Sequence, residues 1–528
     1  DWMSQSMLCD TVCIEERDTA RKIMRNSELK WSHVIVASFI ALALAACGNT
    51  FTDEILTIAA QPITHIDPAF IASDSEVLVA NTVYDYLVDV GSDNQIEPRL
   101  AETWEVSEDG RTWTFTLADD VRFHDGSALS ASDVVWTFNR LRETEGLPTA
   151  GLYANIAEIE ATRDDLVTFI LDDSNPFFLY DLSDNHALIL KEGTQDADTA
   201  FNGTGPFIVD NYEPGSGGRL ELSANDDYFI EGLPKMERLE IIFFDDEIAE
   251  ANALRSGQVD IITQLSTPLF QSLEGGEGVS TFSVATNAFP VVRLRADEPP
   301  GDDPRVMQAM RYAIDRGVIF DLVQQGYGEI GGDTPVGPMY SNLVAEDLPL
   351  PDQDLEIARD LLSDAGYPDG LDLLLRLPDA QNFPDLAVVL KEQLAQAGIN
   401  VELSVEPESV YYGDDGWLEA SFGITGWGSR PYAQFYLDVM LLCDAKWNES
   451  HFCDPEFDQW VDIAGSSLDD VERKEAYQRI QEILVERGPV LIPFFFAQLG
   501  ASTDRVEGYS MKAFPGRSDL RPVTIIPE

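Results

Sequence analysis

Residues able to do chemistry are sparse in this chain in every class but one. Its 528 residues include five histidines, His33, His65, His124, His186 and His451, and no two are neighbours in sequence. The chain has no HExxH pair for zinc, no Gly-rich loop ending in Lys for phosphates and no G-x-S-x-G elbow for a serine nucleophile. Carboxylates are the exception, with 94 acidic residues. A glycosidase-type pair could hide among so many, but any spacing then arises by chance and identifies nothing. His124-Asp125-Gly126 sets an imidazole beside a carboxylate, as acid–base work would require. Adjacent side chains on a turn point apart, and Asp-Gly is a turn pair, so a turn after a strand is the better reading. Asp245-Asp246-Glu247 and Asp302-Asp303 lack the regular ligand spacing of a calcium loop and read as solvent-facing or helix-capping residues. The expectation is a protein that is not an enzyme, with no cofactor and no metal.

The elements that carry these residues alternate between strand and helix. Thr112 to Leu117 alternates strictly, as a half-buried strand does. Ser130 to Asp133 has the form of a capping box, and Val134, Val135, Phe138 and Leu141 follow at helical spacing. Asp303-Pro304 opens a helix with Val306, Met310, Ala313 and Ile314 on one face. Leu386, Val389, Leu390 and Leu394 form another face, stopped by Gly398. Val401, Leu403 and Val405 then alternate with polar residues as a strand. A last helix through Val471, Tyr477, Ile480 and Leu484 leads into the apolar run Val490 to Phe496. Helices between short strands predict an α/β chain, and 44% hydrophobic and 10% aromatic residues are enough for real cores. Gly215 to Gly218 reads as a tight turn between strands. Glu298-Pro299-Pro300-Gly301 is the best break between two halves, just after a crossing strand at Val291 to Leu294.

Against the 94 acids stand 34 basic residues, a net charge of −60. Such a surface repels nucleic acid and anionic lipid. The acids are scattered, which reads as a solvated face. The apolar run from Val34 to Ala46 follows Arg25 and Lys30 and falls short of the roughly 20 residues a spanning helix needs. It has the form of a secretory h-region. Met24 stands where a signal peptide would start, so residues 1–23 are read as upstream sequence from a misplaced start and 24–46 as the signal. Leu44-Ala45-Ala46-Cys47 resembles the bacterial lipobox, whose cysteine is acylated, so lipidation is expected at Cys47. In an oxidising compartment Cys443 and Cys453 are expected to form a disulfide, since a closed zinc site would need further Cys or His ligands.

A longer series of residues carries a family resemblance. Leu100-Ala101-Glu102-Thr103-Trp104 is followed by Asp109-Gly110, Trp113-Thr114-Phe115, Val121-Arg122-Phe123-His124-Asp125-Gly126 and Ala131-Ser132-Asp133-Val134. Then come Gly203-Thr204-Gly205-Pro206-Phe207, Asn225-Asp226-Asp227-Tyr228, Asp303-Pro304-Arg305, Tyr312-Ala313-Ile314-Asp315-Arg316, Ala365-Gly366-Tyr367-Pro368 and Gly488-Pro489. In this order they resemble the periplasmic oligopeptide/dipeptide/nickel-binding receptors of ABC importers, solute-binding protein family 5, over nearly all of residues 52–528. The resemblance implies a two-lobed periplasmic-binding-protein clamshell of type II with an extra subdomain on the first lobe. Lobe 1 would hold residues 47–285, lobe 2 residues 286–492, and 493–528 would return to lobe 1. A ligand would be enclosed as a hinge closes and then delivered to a membrane permease and ATPase complex. The receptor is expected to be a periplasmic monomer, held at the membrane only through the lipid on Cys47, with no nucleic acid partner.

The same resemblance points to site residues. In peptide-binding members a Trp matching Trp427 is followed three positions later by an Asp that pairs with the peptide α-ammonium. Here the run is Gly426-Trp427-Gly428-Ser429-Arg430-Pro431, so a guanidinium replaces a carboxylate. That exchange favours a carboxylate, phosphate or polyol oxygens over an ammonium. The alternative is that Arg430 turns into an internal salt bridge. Trp427 and Trp417 are candidates to stack on a ligand. Arg293 and Arg295 alternate on one strand and so share a face, suited to an anion unless they pair with Asp297 or other acids. His65 lies in the family's first-strand loop, and Gly203, Thr204 and Gly205 could offer backbone N–H groups. Trp447-Asn448-Glu449-Ser450 is a further candidate to face the cleft. The expected ligand is a small polar molecule, anionic or hydroxyl-rich, such as an organic acid conjugate or sugar. Ordinary peptide binding is the alternative, and an extracellular hydrolase, a signalling receptor, and a nickel or haem variant are further ones.

Overall fold

The computed structural model describes residues 54–527 apart from 145, 146, 148, 346, 347, 349, 414, 415 and 515. The expected signal segment and Cys47 lie outside the described residues. Three sheets organise the rest. The largest has seven strands, with Ile55–Ala60 at its centre, paired in parallel with Arg238–Phe243 on one side and Ile261–Ile262 on the other. Arg219–Ala224 and Phe207–Glu213 extend one flank, and Ala497–Thr503 and Val279–Ala285 the other. A four-stranded antiparallel sheet follows from Ala101–Val106, Thr112–Leu117, Leu166–Leu171 and Ile156–Arg163. The five-stranded sheet runs Ile399–Glu406, Leu371–Pro378, Phe422–Trp427, Phe289–Leu294 and Val490–Leu491, the first three parallel.

Local signals account for many elements. Thr112–Leu117 buries alternate residues, Trp113, Phe115 and Leu117. The helix Ala131–Glu143 starts at Ser130 with its capping box in place. Asp303 caps the helix Pro304–Ala313 by accepting from the Arg305 N–H, with proline in the first turn. The helix Phe383–Gln396 ends just before Gly398, whose φ of +93° suits glycine. Gly215 to Gly218 is the turn between paired strands. One expectation needs correction. The chain leaves the seven-stranded sheet after Ala285 and enters the five-stranded sheet at Phe289. The passage therefore lies upstream of Glu298–Gly301, which instead leads into the helix capped by Asp303.

Buried carboxylates tie distant segments together. Asp260 accepts from the Thr57 N–H at 2.9 Å, the Thr57 hydroxyl at 2.7 Å and Arg505 Nε at 2.7 Å, joining three segments of the seven-stranded sheet. Asp89 receives Arg99, Arg517 and Lys512. Burial alone would raise its pKa, but those three cations hold it far below the carboxylate range. Asp333 joins Arg311, Arg316 and the Ile492 N–H beside the five-stranded sheet. Returning residues such as Arg505, Lys512 and Arg517 are thus pinned by charge as well as by strand pairing.

Candidate functional site

In open α/β sheets ligands bind outside the carboxyl ends of parallel strands. The carboxyl edge of the five-stranded sheet carries the run that begins at Gly426-Trp427. It is fixed from below by Arg293, which is fully buried. Arg293 Nε donates to Glu449 at 3.0 Å, one terminal nitrogen donates to the Ala420 carbonyl at 2.6 Å, and the other donates to the Trp417 carbonyl. Glu449 is itself buried and also accepts from the Thr425 hydroxyl at 2.7 Å and the Trp427 indole N–H at 3.0 Å. It reaches this point on the segment closed by the Cys443–Cys453 disulfide. Two glycines make room. A Cβ on Gly423 would lie 2.9 Å from an Arg293 nitrogen, and one on Gly426 would lie 2.6 Å from the Phe383 ring.

Arg293 and Arg295 do not present a shared face to a ligand. Arg293 is enclosed with its own partners, and Arg295 pairs with Asp297 at 2.7 Å and Glu419 at 2.9 Å. Trp427 is only 9% exposed, with Trp447 at 6.0 Å and Tyr436 at 6.2 Å between ring centroids. Trp417 is half-buried and meets Tyr412 edge-on at 6.0 Å. Tyr412 and Trp447 are exposed, so the outer aromatic surface here comes from them and Trp417 more than from Trp427.

Arg430 is exposed. Its guanidinium lies over the Phe435 ring at 4.8 Å and donates to the Ser429 carbonyl at 3.2 Å. It forms no ion pair among the described residues, the alternative weighed above for it. Its charge reaches the Asp184–His186 pair, in which His186 Nδ1 sits 2.6 Å from Asp184. Burial pulls His186 down, but the hydrogen bond and charge of Asp184 outweigh burial and leave its pKa raised, with Arg430 opposing. This pair escaped the sequence reading because the two residues, close in sequence, show no motif.

The loop after Arg430 touches the segment that follows the four-stranded sheet. The Tyr432 ring stacks on Phe177 at 5.1 Å with planes 11° apart, and its hydroxyl donates to Asp181 at 2.6 Å. Asn94 donates to the Pro431 carbonyl at 3.0 Å. Burial pushes the Asp181 carboxyl up to about 7, against the hydrogen bonds from Tyr432 and Asn175 and with Asp184 and Asp438 adding to the rise.

Gly203, Thr204 and Gly205 lie elsewhere and face inward. A Cβ on Gly203 would lie 1.9 Å from the Val83 carbonyl oxygen, the Gly205 N–H donates to that same oxygen at 2.9 Å, and Thr204 donates to Asp85. The glycines allow two backbones to touch. His65 is half-exposed, with Nδ1 3.4 Å from Asp198 and its ring 5.9 Å from Phe70. Phe70 and His186 line a pocket of about 370 Å³ with Ile71, Val77 and Leu147.

Two α/β sheets with parallel cores, joined by crossing segments and bearing an aromatic and charged carboxyl edge, define a two-lobed binding-protein clamshell. Residues 95–448 match the model of the bacterial extracellular solute-binding proteins, family 5, middle region. The chain belongs to this family, the solute-binding proteins of ABC transporters. Di/tripeptide-binding protein 1 of Pseudomonas aeruginosa (strain UCBPP-PA14) is 26% identical over 507 residues, covering 88% of this chain and 93% of the relative. Among solved structures, HbpA2 from Haemophilus parasuis has a TM-score of 0.79 at 23% identity, covering 90% of this chain and 100% of that one. AgaA from A. tumefaciens R10, in complex with agropinic acid, has a TM-score of 0.70 at 24% identity, covering 90% and 99%. Among the described residues no helix is long and apolar enough to cross a membrane.

Two outcomes follow from this geometry. Glu449→Ala leaves the Arg293 charge buried without its carboxylate, and the denaturant midpoint should fall by the equivalent of about 3–5 kcal/mol; an unchanged midpoint would contradict the account. The raised Asp181 pKa means its contribution to stability is full below the ordinary aspartate value of about 3.9 and is lost as pH rises through about 7. Asp181→Asn cannot ionise, so its melting temperature should gain on the wild type between pH 5 and pH 8. A constant difference across that range would show that Asp181 does not titrate there.

Proposed function

We propose that this protein is the extracytoplasmic receptor of an ABC importer, held at the membrane by lipid on Cys47, and that it captures a small ligand through an anionic group. The observation that carries the ligand class is Arg430. It stands at the carboxyl edge of the five-stranded sheet, stacked on Phe435 and without a carboxylate partner among the described residues. In a chain with 94 acids, an arginine left unpaired has a guanidinium fork available for a ligand's oxygens. The exposed rings of Tyr412, against Trp417, and Trp447, against Trp427, suit an apolar or sugar-like body. AgaA, a structural relative, holds agropinic acid, in keeping with an acidic ligand on this fold. A peptide is the second reading, favoured by the relative named for di- and tripeptides. Arg430 would then take the peptide's carboxylate. Delivery to a permease follows from the family, whose members bind rather than transform, and no catalytic constellation in the sequence asks for more.

A thermal-shift screen of organic acids, opine-like conjugates, sugars and dipeptides, followed by calorimetry on the best hit, tests this reading. The hit should carry an anionic group, and Arg430→Ala should weaken its binding about 10- to 150-fold, the worth of a charged hydrogen bond of about 1.5–3 kcal/mol. Equal affinity in Arg430→Ala would overturn it.

A further inference from the structure

A charged group without a partner is also found beside the seven-stranded sheet, and its sign is negative. Glu250, on the helix Glu247–Arg255, is 4% exposed, yet its carboxyl has no hydrogen bond or ion pair among the described residues. It lines a pocket of about 240 Å³ at the carboxyl ends of the central parallel strands Ile55–Ala60 and Ile261–Ile262. Gln61 and Gln264 line the same pocket, as do the carboxyls of Asp74 and Glu247, and no Lys or Arg does. A buried carboxyl with neither cation nor donor is costly and uncommon. The other buried acids are met, Glu76, Asp133 and Asp181 by uncharged hydrogen-bond donors and Asp89, Asp260 and Asp333 by at least one arginine each. Glu250 holds none.

We propose that this pocket is a recognition subsite for an organic cation, an alkylammonium or guanidinium group, whose charge is completed by Glu250 with Asp74 and Glu247 around it. A metal ion fits less well, because no group of three His, Cys, Asp or Glu among the described residues is arranged to hold one. The volume suits a head group, being below the roughly 300–1,000 Å³ of pockets for whole drug-sized ligands. The pocket shares Ala72 and Asp74 with the apolar pocket of Phe70, Ile71 and His186, and the charge of Arg430 acts on His186. A ligand with a cation at Glu250, an apolar body over Phe70 and an anion at Arg430 therefore follows if the Arg430 reading holds. The cation subsite stands without it.

Burial, with the charges of Glu247 and Asp246, pushes Glu250 up to about 7, and burial raises Asp74 as well. A bound cation must displace the Glu250 proton at low pH, so cation affinity should rise from pH 6 to pH 8.

The test uses butylguanidinium and its neutral analogue butylurea, titrated calorimetrically into the purified chain at pH 8. The cation should bind the wild type at least tenfold more tightly than the urea. Glu250→Gln should abolish that preference and raise the melting temperature at pH 8, because an unpaired buried charge is gone. Arg430→Ala should keep the preference, which separates this proposal from the anion reading. Asp74→Asn, should Glu250→Gln not fold, is expected to reduce the preference as well. A wild type that binds neither compound or both equally would overturn the proposal, as would a preference that survives Glu250→Gln.

Discussion

The Arg293 guanidinium has no exposure to water, and the carboxyl edge of the five-stranded sheet is arranged around satisfying it. Taking a charge out of water costs several kcal/mol, recovered only when geometry is good and the remaining donors are met. Glu449 supplies the counter-charge, and the carbonyls of Trp417 and Ala420 accept further bonds. The partners come from two stretches of chain, the turn from Trp417 to Ala420 and the segment that carries Glu449. The turn at Trp417, the strand Phe422–Trp427 and the loop closed by Cys443 and Cys453 are thereby held to one point. Trp427 is fixed by the same Glu449. Arg430 stands three residues further on, so the anion-binding role proposed for it would start from a strand end held by buried hydrogen bonds.

Charge is used sparingly inside this acidic protein. With 34 bases against 94 acids, the buried cations among the described residues are all claimed by acids. Arg99, Arg517 and Lys512 gather on Asp89, Arg311 and Arg316 on Asp333, and Arg505 on Asp260. Among the described residues Arg430, like the exposed Arg122, Arg255 and Arg359, makes no ion pair, and Glu250 is the one buried acid with neither an ion pair nor a hydrogen bond. Arg430 has an aromatic ring beneath it in place of a carboxylate, and Glu250 is buried with carboxyls for neighbours in its pocket. Both lie at carboxyl edges of parallel strands, on different sheets. The two subsites proposed above would place one recognition surface on each sheet, as a two-lobed receptor needs on the two sides of its cleft.

The elements were legible where the signal is local. Asp303-Pro304 marked a helix start, Ser130 to Asp133 a capping box and Thr112 to Leu117 a strand, because each is decided by a few neighbouring residues. The family series was legible for the same reason. The roles of the arginines were not. Arg293, Arg295 and Arg430 all read as candidate anion ligands. What separates them is Glu449, which lies 156 residues from Arg293, and the space left by Gly423. Gly203 and Gly205 read as backbone donors, yet their lack of side chains serves the close approach of Val83. Glu250 gave no signal at all, since one acid among 94 says nothing until its burial is seen.

The central claim is that the cleft recognises charge, with Arg430 meeting an anionic group. A crystal structure of the complex with the best anionic compound tests it most directly. The account predicts ligand oxygens within hydrogen-bonding distance of the Arg430 guanidinium, with the Arg293–Glu449 pair undisturbed beneath. A ligand seated in the cleft whose anionic group lies away from Arg430, with that side chain turned to solvent or to an acid of the chain, would contradict it.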